Sequence, residues 1–330
     1  MTRVLILTKL LLIPSLLFAQ ARFAVPHVSG MSWWKGNTHT HTTNSDGDSP
    51  PETVVKWYKD HAYNFLVLSD HNYFTDPAGL TSFEDNSFIL IAGEELTSSY
   101  QSKSVHVNGL HIPHLLEAQK GTTLLGTIQK NVDIIRSFDG VPHVNHPNFR
   151  WSFDHEVLKH VRNDRLIEVY NGHPYVHNLG GGGKVSMEAI WDTLLTGGMV
   201  MYGIATDDAH HFKGEFSRDR SNPGRGWIAV RAHRLDAAEL MRNLEEGQFY
   251  ASTGVTLKDV TVTETTMTVD VAPSGDFRYT IEFIGTGGRV LDVQPGPSAG
   301  YRLAGDERYV RARVTDSGGA QAWVQPVWIE

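Results

Sequence analysis

The sequence predicts an α/β domain of alternating strands and helices, followed by a smaller antiparallel β-sandwich. Short apolar runs alternate with helical periods as far as residue 246, and two-residue alternation takes over after residue 255. All but two of the 17 histidines fall between His39 and His211, inside the first region. Strand and helix alternation calls for a parallel sheet, closed as a barrel or open. Polar residues at the carboxyl ends of such strands gather on one face, where an active site forms. With 330 residues and 40% hydrophobic content, the chain can bury one large core and a small one.

Arg3 and Lys9 flank a short apolar run that Pro14 breaks, and Ala19-Gln20-Ala21 follows. This describes a secretory signal peptide over residues 1–21, hence a secreted or periplasmic protein. A membrane anchor would need about 20 apolar residues and fits poorly with Lys9 inside the run, so no integral membrane segment is expected after signal removal.

Residues 31–35 read as the first strand, leading into Asn37-Thr38-His39-Thr40-His41 and then Ser45-Asp46-Gly47. In an extended chain His39 and His41 point to the same side, as metal ligands do, although an isolated pair would read as surface histidines. Ser49-Pro50-Pro51-Glu52 opens a helix to about residue 61, with Ser49 as its cap. The strand at 65–68 leads to Ser69-Asp70-His71-Asn72, and that at 88–92 to Gly93-Glu94-Glu95. An alternating strand at 104–110 carries His106, and a helix at 123–138 precedes Val141 to Pro147. The strand at 166–171 is followed by Gly180 to Gly183, a helix at 186–196, and a strand at 199–205 ending in Asp207-Asp208-Ala209-His210-His211. After a helix at 235–246, residues 255–330 carry alternating runs punctuated by Gly, Pro, Asp and Ser, without one histidine. The chemistry is therefore assigned to a domain at 22–254, and the sandwich to 255–330.

No cysteine occurs, so any metal must be held by His and carboxylate. The net charge of −8 gives no electrostatic reason to hold nucleic acid, which leaves a small-molecule substrate as the expected partner.

The strand-end candidates are His39, His41, Asp46, His71, Glu94, His106, His146, Asp208 and His210. They exceed the needs of one tetrahedral zinc and point to two or three divalent ions, Zn, Mn or Fe, bridged by a carboxylate. His39-Thr-His41 with Ser45-Asp46-Gly47, Ser69-Asp70-His71-Asn72, Gly93-Glu94, Asn145-His146-Pro147 and Asp208-Ala209-His210 occur in this order. The ordered set, over about 33–212, resembles the polymerase and histidinol phosphatase (PHP) superfamily. That resemblance implies a distorted (β/α)7 barrel with a trinuclear centre. It places His39, His41, Glu94 and Asp208 on one ion, Glu94, His106 and His146 on a second, and Asp46, His71 and His210 on a third. Some members carry His at the Asp46 position, and His111 and His114 compete with His106. The segment 145–151, Trp191-Asp192 and the tail ending Trp323-Val324-Gln325-Pro326 look most like the secreted branch that includes carbaryl-type carbamate hydrolases, the CehA/McbA group.

Arg150, Lys184, Lys213 and Arg218 are loop cations that could clamp an anionic substrate, with Arg150 and then Lys184 preferred; each could equally be solvated. The glycines before Lys184 lack the spacing of a phosphate loop and read as a mobile loop. Glu168 and Asn171 end a strand, facing substrate or making structural hydrogen bonds. Asp70 reads as a partner that orients a ligand imidazole, and His143 as a packed histidine. The resulting expectation is a secreted metal-dependent hydrolase, a phosphoesterase using a metal-bound hydroxide. Asp208, His71 and His210 are its catalytic residues, and a histidine beside the third ion protonates the leaving group. Carbamate or aryl-ester hydrolysis is the alternative, and a non-catalytic metal-dependent binding protein is the further one.

Overall fold

The computed structural model describes residues 30–329, so the expected signal segment at 1–21 lies outside the described residues. The first part runs β1 (Ser32–Asn37), α1 (Pro51–Asp60), β2 (Phe65–Val67), β3 (Ile89–Ile91), β4 (Gly93–Tyr100), β5 (Lys103–Leu110), α2 (Leu124–Arg136) and β6 (Val141–Val144). It continues with α3 (His155–Leu158), β7 (Leu166–Asn171), α4 (Met187–Thr196), β8 (Tyr202–Thr206), β9 (Trp227–Ala232), α5 (Ala237–Glu245) and β10 (Phe249–Ser252). The last part is strands with one short 3-10 turn at Thr286–Gly288: β11 (Leu257–Val262), β12 (Thr266–Val271), β13 (Tyr279–Gly285), β14 (Arg289–Pro295), β15 (Ser298–Arg302), β16 (Tyr309–Asp316) and β17 (Gln321–Trp328). Among the described residues no helix is long and apolar enough to cross a membrane.

Local chemistry accounts for most helix starts. Thr123 caps α2 by accepting from Gly126 N–H, and Ser186 caps α4 by accepting from Ala189 N–H. Ser49 does not cap α1. Pro50 occupies the cap position there without a side-chain bond, and the Ser49 hydroxyl donates to Asp48 instead. Pro51 at the first helical position needs no partner for an N–H it lacks.

The strands form a mixed architecture. One sheet runs β14-β13-β16-β17-β10-β9-β1-β2-β3, a second β4-β5-β6-β7-β8, and a third β11-β12-β15. β1, β2 and β3 pair in parallel, as do β6, β7 and β8, whereas β4, β5 and β6 pair antiparallel. Among the described residues no continuous ladder closes the strands into the expected (β/α)7 ring. The two larger sheets instead meet at seams crossed by single parallel bridges, Thr40 with Ala209 and His71 with Glu95. The large sheet also crosses residue 254, because β10 pairs with β9 on one side and β17 on the other. Beyond it, β11, β12 and β15 cover β13, β16 and β17 around a core that includes Val260, Met267, Val269, Ile281, Phe283 and Val314.

Candidate metal centre

The two seams lie where β1, β2 and β8 end, and backbone bonds knit those ends together. Asp208 N–H donates to His39 O and His41 N–H to Ala209 O, both at 2.9 Å. This puts the His39-Thr-His41 and Asp208-Ala209-His210 segments side by side. Asp208 and His146 adopt positive φ (49° and 21°), an uncommon choice for residues with a Cβ, found where the surroundings fix a site.

Glu95 is the carboxylate at the middle of the cluster. Its Oε1 lies 2.9 Å from His106 Nδ1, 3.5 Å from His39 Nε2 and 3.5 Å from His146 Nε2. Its Oε2 lies 2.7 Å from His71 Nδ1 and 3.5 Å from His41 Nε2. Asp208 Oδ1 faces the same pair of imidazoles, 3.3 Å from His39 Nε2 and 3.2 Å from His41 Nε2. Asp46, exposed at the rim, approaches His210 Nε2 at 3.2 Å and His71 Nε2 at 3.6 Å. Its loop is tight: a Cβ on Gly47 would meet the carbonyl oxygen of His41 at 2.7 Å.

The structure thus gathers every expected ligand except Glu94. β4 starts at Gly93, so neighbouring side chains project to opposite faces. Glu95 and Thr97 pair with Asn108 and His106 and share their face, while Glu94 pairs with Gly109 and turns away. There Glu94 Oε1 accepts from Leu116 N–H at 2.6 Å, and burial pushes the carboxyl up to about 7. His111 and His114 are exposed, and His114 lies against Phe138 rather than in the cluster.

Other residues hold this arrangement in place. Glu168 Oε1 binds His39 Nδ1 at 2.7 Å and accepts from Thr206 Oγ1, while its Oε2 accepts from His146 N–H. Asn145 Nδ2 donates to Glu95 Oε1 at 2.7 Å. Among the described residues Asp70 touches no imidazole through a hydrogen bond. It accepts from Thr42 N–H, Thr42 Oγ1, Ser45 Oγ and Thr75 Oγ1, which ties down the loop after His41. His143 is fully buried against His39, at 6.2 Å between ring centres. Sequence reasoning missed Glu95 and left Glu168 undecided, although alternation through 93–100 could have separated Glu95 from Glu94.

Electrostatics keep the carboxylates ionised. Burial works against the charge of Glu95, but His71, His106 and His39 around it hold it well below the usual carboxylate range. His71 responds in kind: burial lowers it, and Glu95 overcomes this to bring it to about 9. His41 is held down at about 4 by burial and by His210.

A metal centre is the arrangement that uses these atoms. Among the described residues His39 Nε2 and His41 Nε2 are buried without a hydrogen-bond partner, and the short contacts of Glu95 Oε2 with His71 Nδ1 and of His106 Nδ1 with Glu95 Oε1 lack hydrogen-bond geometry, an expensive state that an ion would relieve. The donors converge as His39, His41 and Asp208; as His71, Glu95 and His106; as His41, Asp46, His71 and His210; and as His39, His146 and Glu168, each set within 4.8 Å. His39 Nδ1 is already engaged by Glu168, leaving Nε2 for an ion.

No family model matches the chain, and no curated protein is similar to it. Among solved structures, a two-domain protein from Bacteroides vulgatus containing a predicted PHP-like metal-dependent phosphoesterase superposes with a TM-score of 0.53 at 14% identity. The match covers 91% of this chain and 97% of that one. The two chains share a fold. An amidohydrolase from Chromobacterium violaceum, with bound sulfate and no metal, gives a TM-score of 0.40 at 14% identity over 56% of this chain and 93% of that one.

The loop cations stand apart from the ligands. Arg150 is exposed, with its guanidinium 5.3 Å over the Phe149 ring, which itself lies 5.2 Å from His146. Lys184 is exposed beside a cavity of about 390 Å³ that Lys103 and Trp151 also line. Neither forms an ion pair among the described residues.

Proposed function

We propose that this protein is a metal-dependent hydrolase acting on phosphoesters. The observation that carries the reading is the convergence of buried, partnerless imidazole nitrogens and carboxylate oxygens on shared points at a seam open to solvent through Asp46. His39, His41, Glu95 and Asp208 would hold one ion, His106, His146 and Glu95 a second, and Asp46, His71 and His210 a third. Bound there, divalent ions would supply Lewis acidity and bring the pKa of water towards ~7. The chain's own part is to keep Glu95 and Asp208 ionised and to fix His39 through Glu168. His210 Nδ1 is held by the Asp208 carbonyl oxygen, which leaves Nε2 facing Asp46 and the opening. Arg150, free of carboxylate partners among the described residues and one ring away from His146, is placed to meet an anionic group.

Three further readings belong with this proposal. The two larger sheets are a distorted (β/α)7 cylinder, supported by the bridges at both seams. Residues 1–21 direct export to a secreted or periplasmic location. Residues 255–330 form a β-domain that supplies no ligand, in keeping with the absence of its described residues from every convergent set.

The test is turnover by purified protein supplied with Mn or Zn, using p-nitrophenyl phosphate, bis-p-nitrophenyl phosphate, 1-naphthyl methylcarbamate and p-nitrophenyl acetate. Phosphoester turnover that a chelator abolishes and metal restores is the expected result. Turnover of the carbamate or acetate alone would replace the phosphoester reading, and turnover of none would leave a binding protein.

A further inference from the structure

We infer that His173 donates a hydrogen bond from Nε2 to a substrate oxygen at this centre. The inference rests on the phosphoester reading and adds a donor that lies outside every convergent ligand set.

The segment after β7 is a tight turn held from several sides. Asn171 Oδ1 accepts from His173 N–H at 2.8 Å, and Gly172 N–H donates to Thr206 O at 2.9 Å. Tyr175 N–H then donates to His173 Nδ1 at 3.2 Å. This last bond decides the tautomer. A ring nitrogen that accepts from a main-chain N–H carries no proton of its own, so the proton of this imidazole sits on Nε2.

Nε2 occupies the far edge of the ring, away from the turn, and makes no hydrogen bond among the described residues. The ring meets the metal centre edge-on, 5.4 Å from His210 and 6.1 Å from Phe149 between ring centres. The amide of Asn171 links the two structures. Its Oδ1 fixes the His173 turn, while its Nδ2 donates to Asp208 Oδ2 at 3.1 Å and to Glu168 Oε2 at 2.9 Å. One side chain therefore sets a ligand carboxylate, the residue that orients His39, and the turn that presents His173.

When a phosphoester is hydrolysed, negative charge grows on the oxygens of the phosphoryl and leaving groups. A pre-aimed neutral N–H stabilises that charge without changing its own protonation. His173 cannot serve as the proton donor itself, because losing the Nε2 proton would leave an imidazolate. Its contribution therefore adds no limb to the pH profile.

The experiment compares His173→Ala and His173→Gln with wild type in metal-loaded protein, with p-nitrophenyl phosphate as probe substrate and inorganic phosphate as probe ligand in calorimetry. The glutamine amide places an N–H near the position of Nε2. Both variants should keep wild-type metal content. His173→Ala should lower kcat about 10- to 100-fold and weaken phosphate binding, His173→Gln should recover most of both, and the pH profile of kcat/KM should keep its shape. The inference is overturned if His173→Ala retains wild-type turnover and phosphate affinity, if it loses metal, or if glutamine rescues nothing. Wild type that binds phosphate but turns over no phosphoester refutes the functional reading alone, and phosphate affinity across the three proteins then decides His173. Wild type that does neither refutes both.

Discussion

Two buried charged networks in this molecule differ in what they leave open. Where the β-domain meets α4, Arg311 is 1% exposed and carries its charge into the interior. Its Nε and Nη2 donate to Asp192 at 2.8 and 2.7 Å, Nη2 also donates to Glu188, and among the described residues only Nη1 lacks a partner. Tyr309 donates to the same Asp192, and Arg313 joins Glu188 to Glu282. Positive and negative charges there answer each other, with the guanidinium lying over Trp191. At the seam Glu95 and Asp208 are comparably buried, but the facing atoms are imidazole nitrogens and carboxylate oxygens that leave lone pairs aimed at common points. A closed network stabilises a contact, and an open one is a site.

That difference can be broken from the interface side. Asp192→Ala leaves the Arg311 guanidinium buried beside Glu188 alone, and should cost about 3–5 kcal/mol in thermal or denaturant unfolding. Metal content of the protein that remains folded should not change; parallel loss of metal would show that the two networks are not separate. On the other side, Glu168→Gln removes the charge that fixes His39 Nδ1 and should reduce metal affinity or turnover about 10- to 100-fold. Its unfolding midpoint without metal should move much less than that of Asp192→Ala, and an equal shift would make Glu168 a structural group.

A smaller effect comes from a carboxyl that belongs to neither network. Asp164 is buried, with Oδ1 accepting from Leu166 N–H and Oδ2 without a partner among the described residues, and burial raises it to about 7. A folded-state pKa above the unfolded one means the native state holds the proton more tightly. Its stabilisation is complete below about pH 4 and is lost as pH rises through about 7. Asp164→Asn should flatten the pH dependence of unfolding in that window, and an unchanged slope would assign it to other groups.

How much of this was legible depended on the distance over which each feature is decided. Helix starts at Thr123 and Ser186 are local and could be read from the cap residue alone. His39 with His41 could be read because they lie two apart on an extended end, whereas Asp208 and His210 could be read only as polar residues at a strand's carboxyl end, since Asp208 takes a positive φ. Reading Gly93-Glu94-Glu95 as a strand end hid the identity of the central carboxylate, because those residues open β4, where alternation puts the two glutamates on opposite faces and the hairpin with β5 fixes which one faces inward. Asp192, noted beside Trp191 as part of a pattern, is an interface anchor whose partner lies 119 residues away. The continuation of the sheet from β10 into β17 is equally non-local, which is why a change of period at residue 255 did not disclose it.

The central claim is that Glu95, and not its neighbour, binds the ions. The most direct measurement is elemental analysis of purified Glu95→Gln and Glu94→Gln beside wild type, with circular dichroism to establish folding. Glu95→Gln should lose ions from the positions it joins, because an amide cannot offset the charge of cations on both sides of it. Glu94→Gln, whose side chain turns towards Leu116, should keep the wild-type metal content. Full occupancy in Glu95→Gln, or loss confined to Glu94→Gln, would contradict the account.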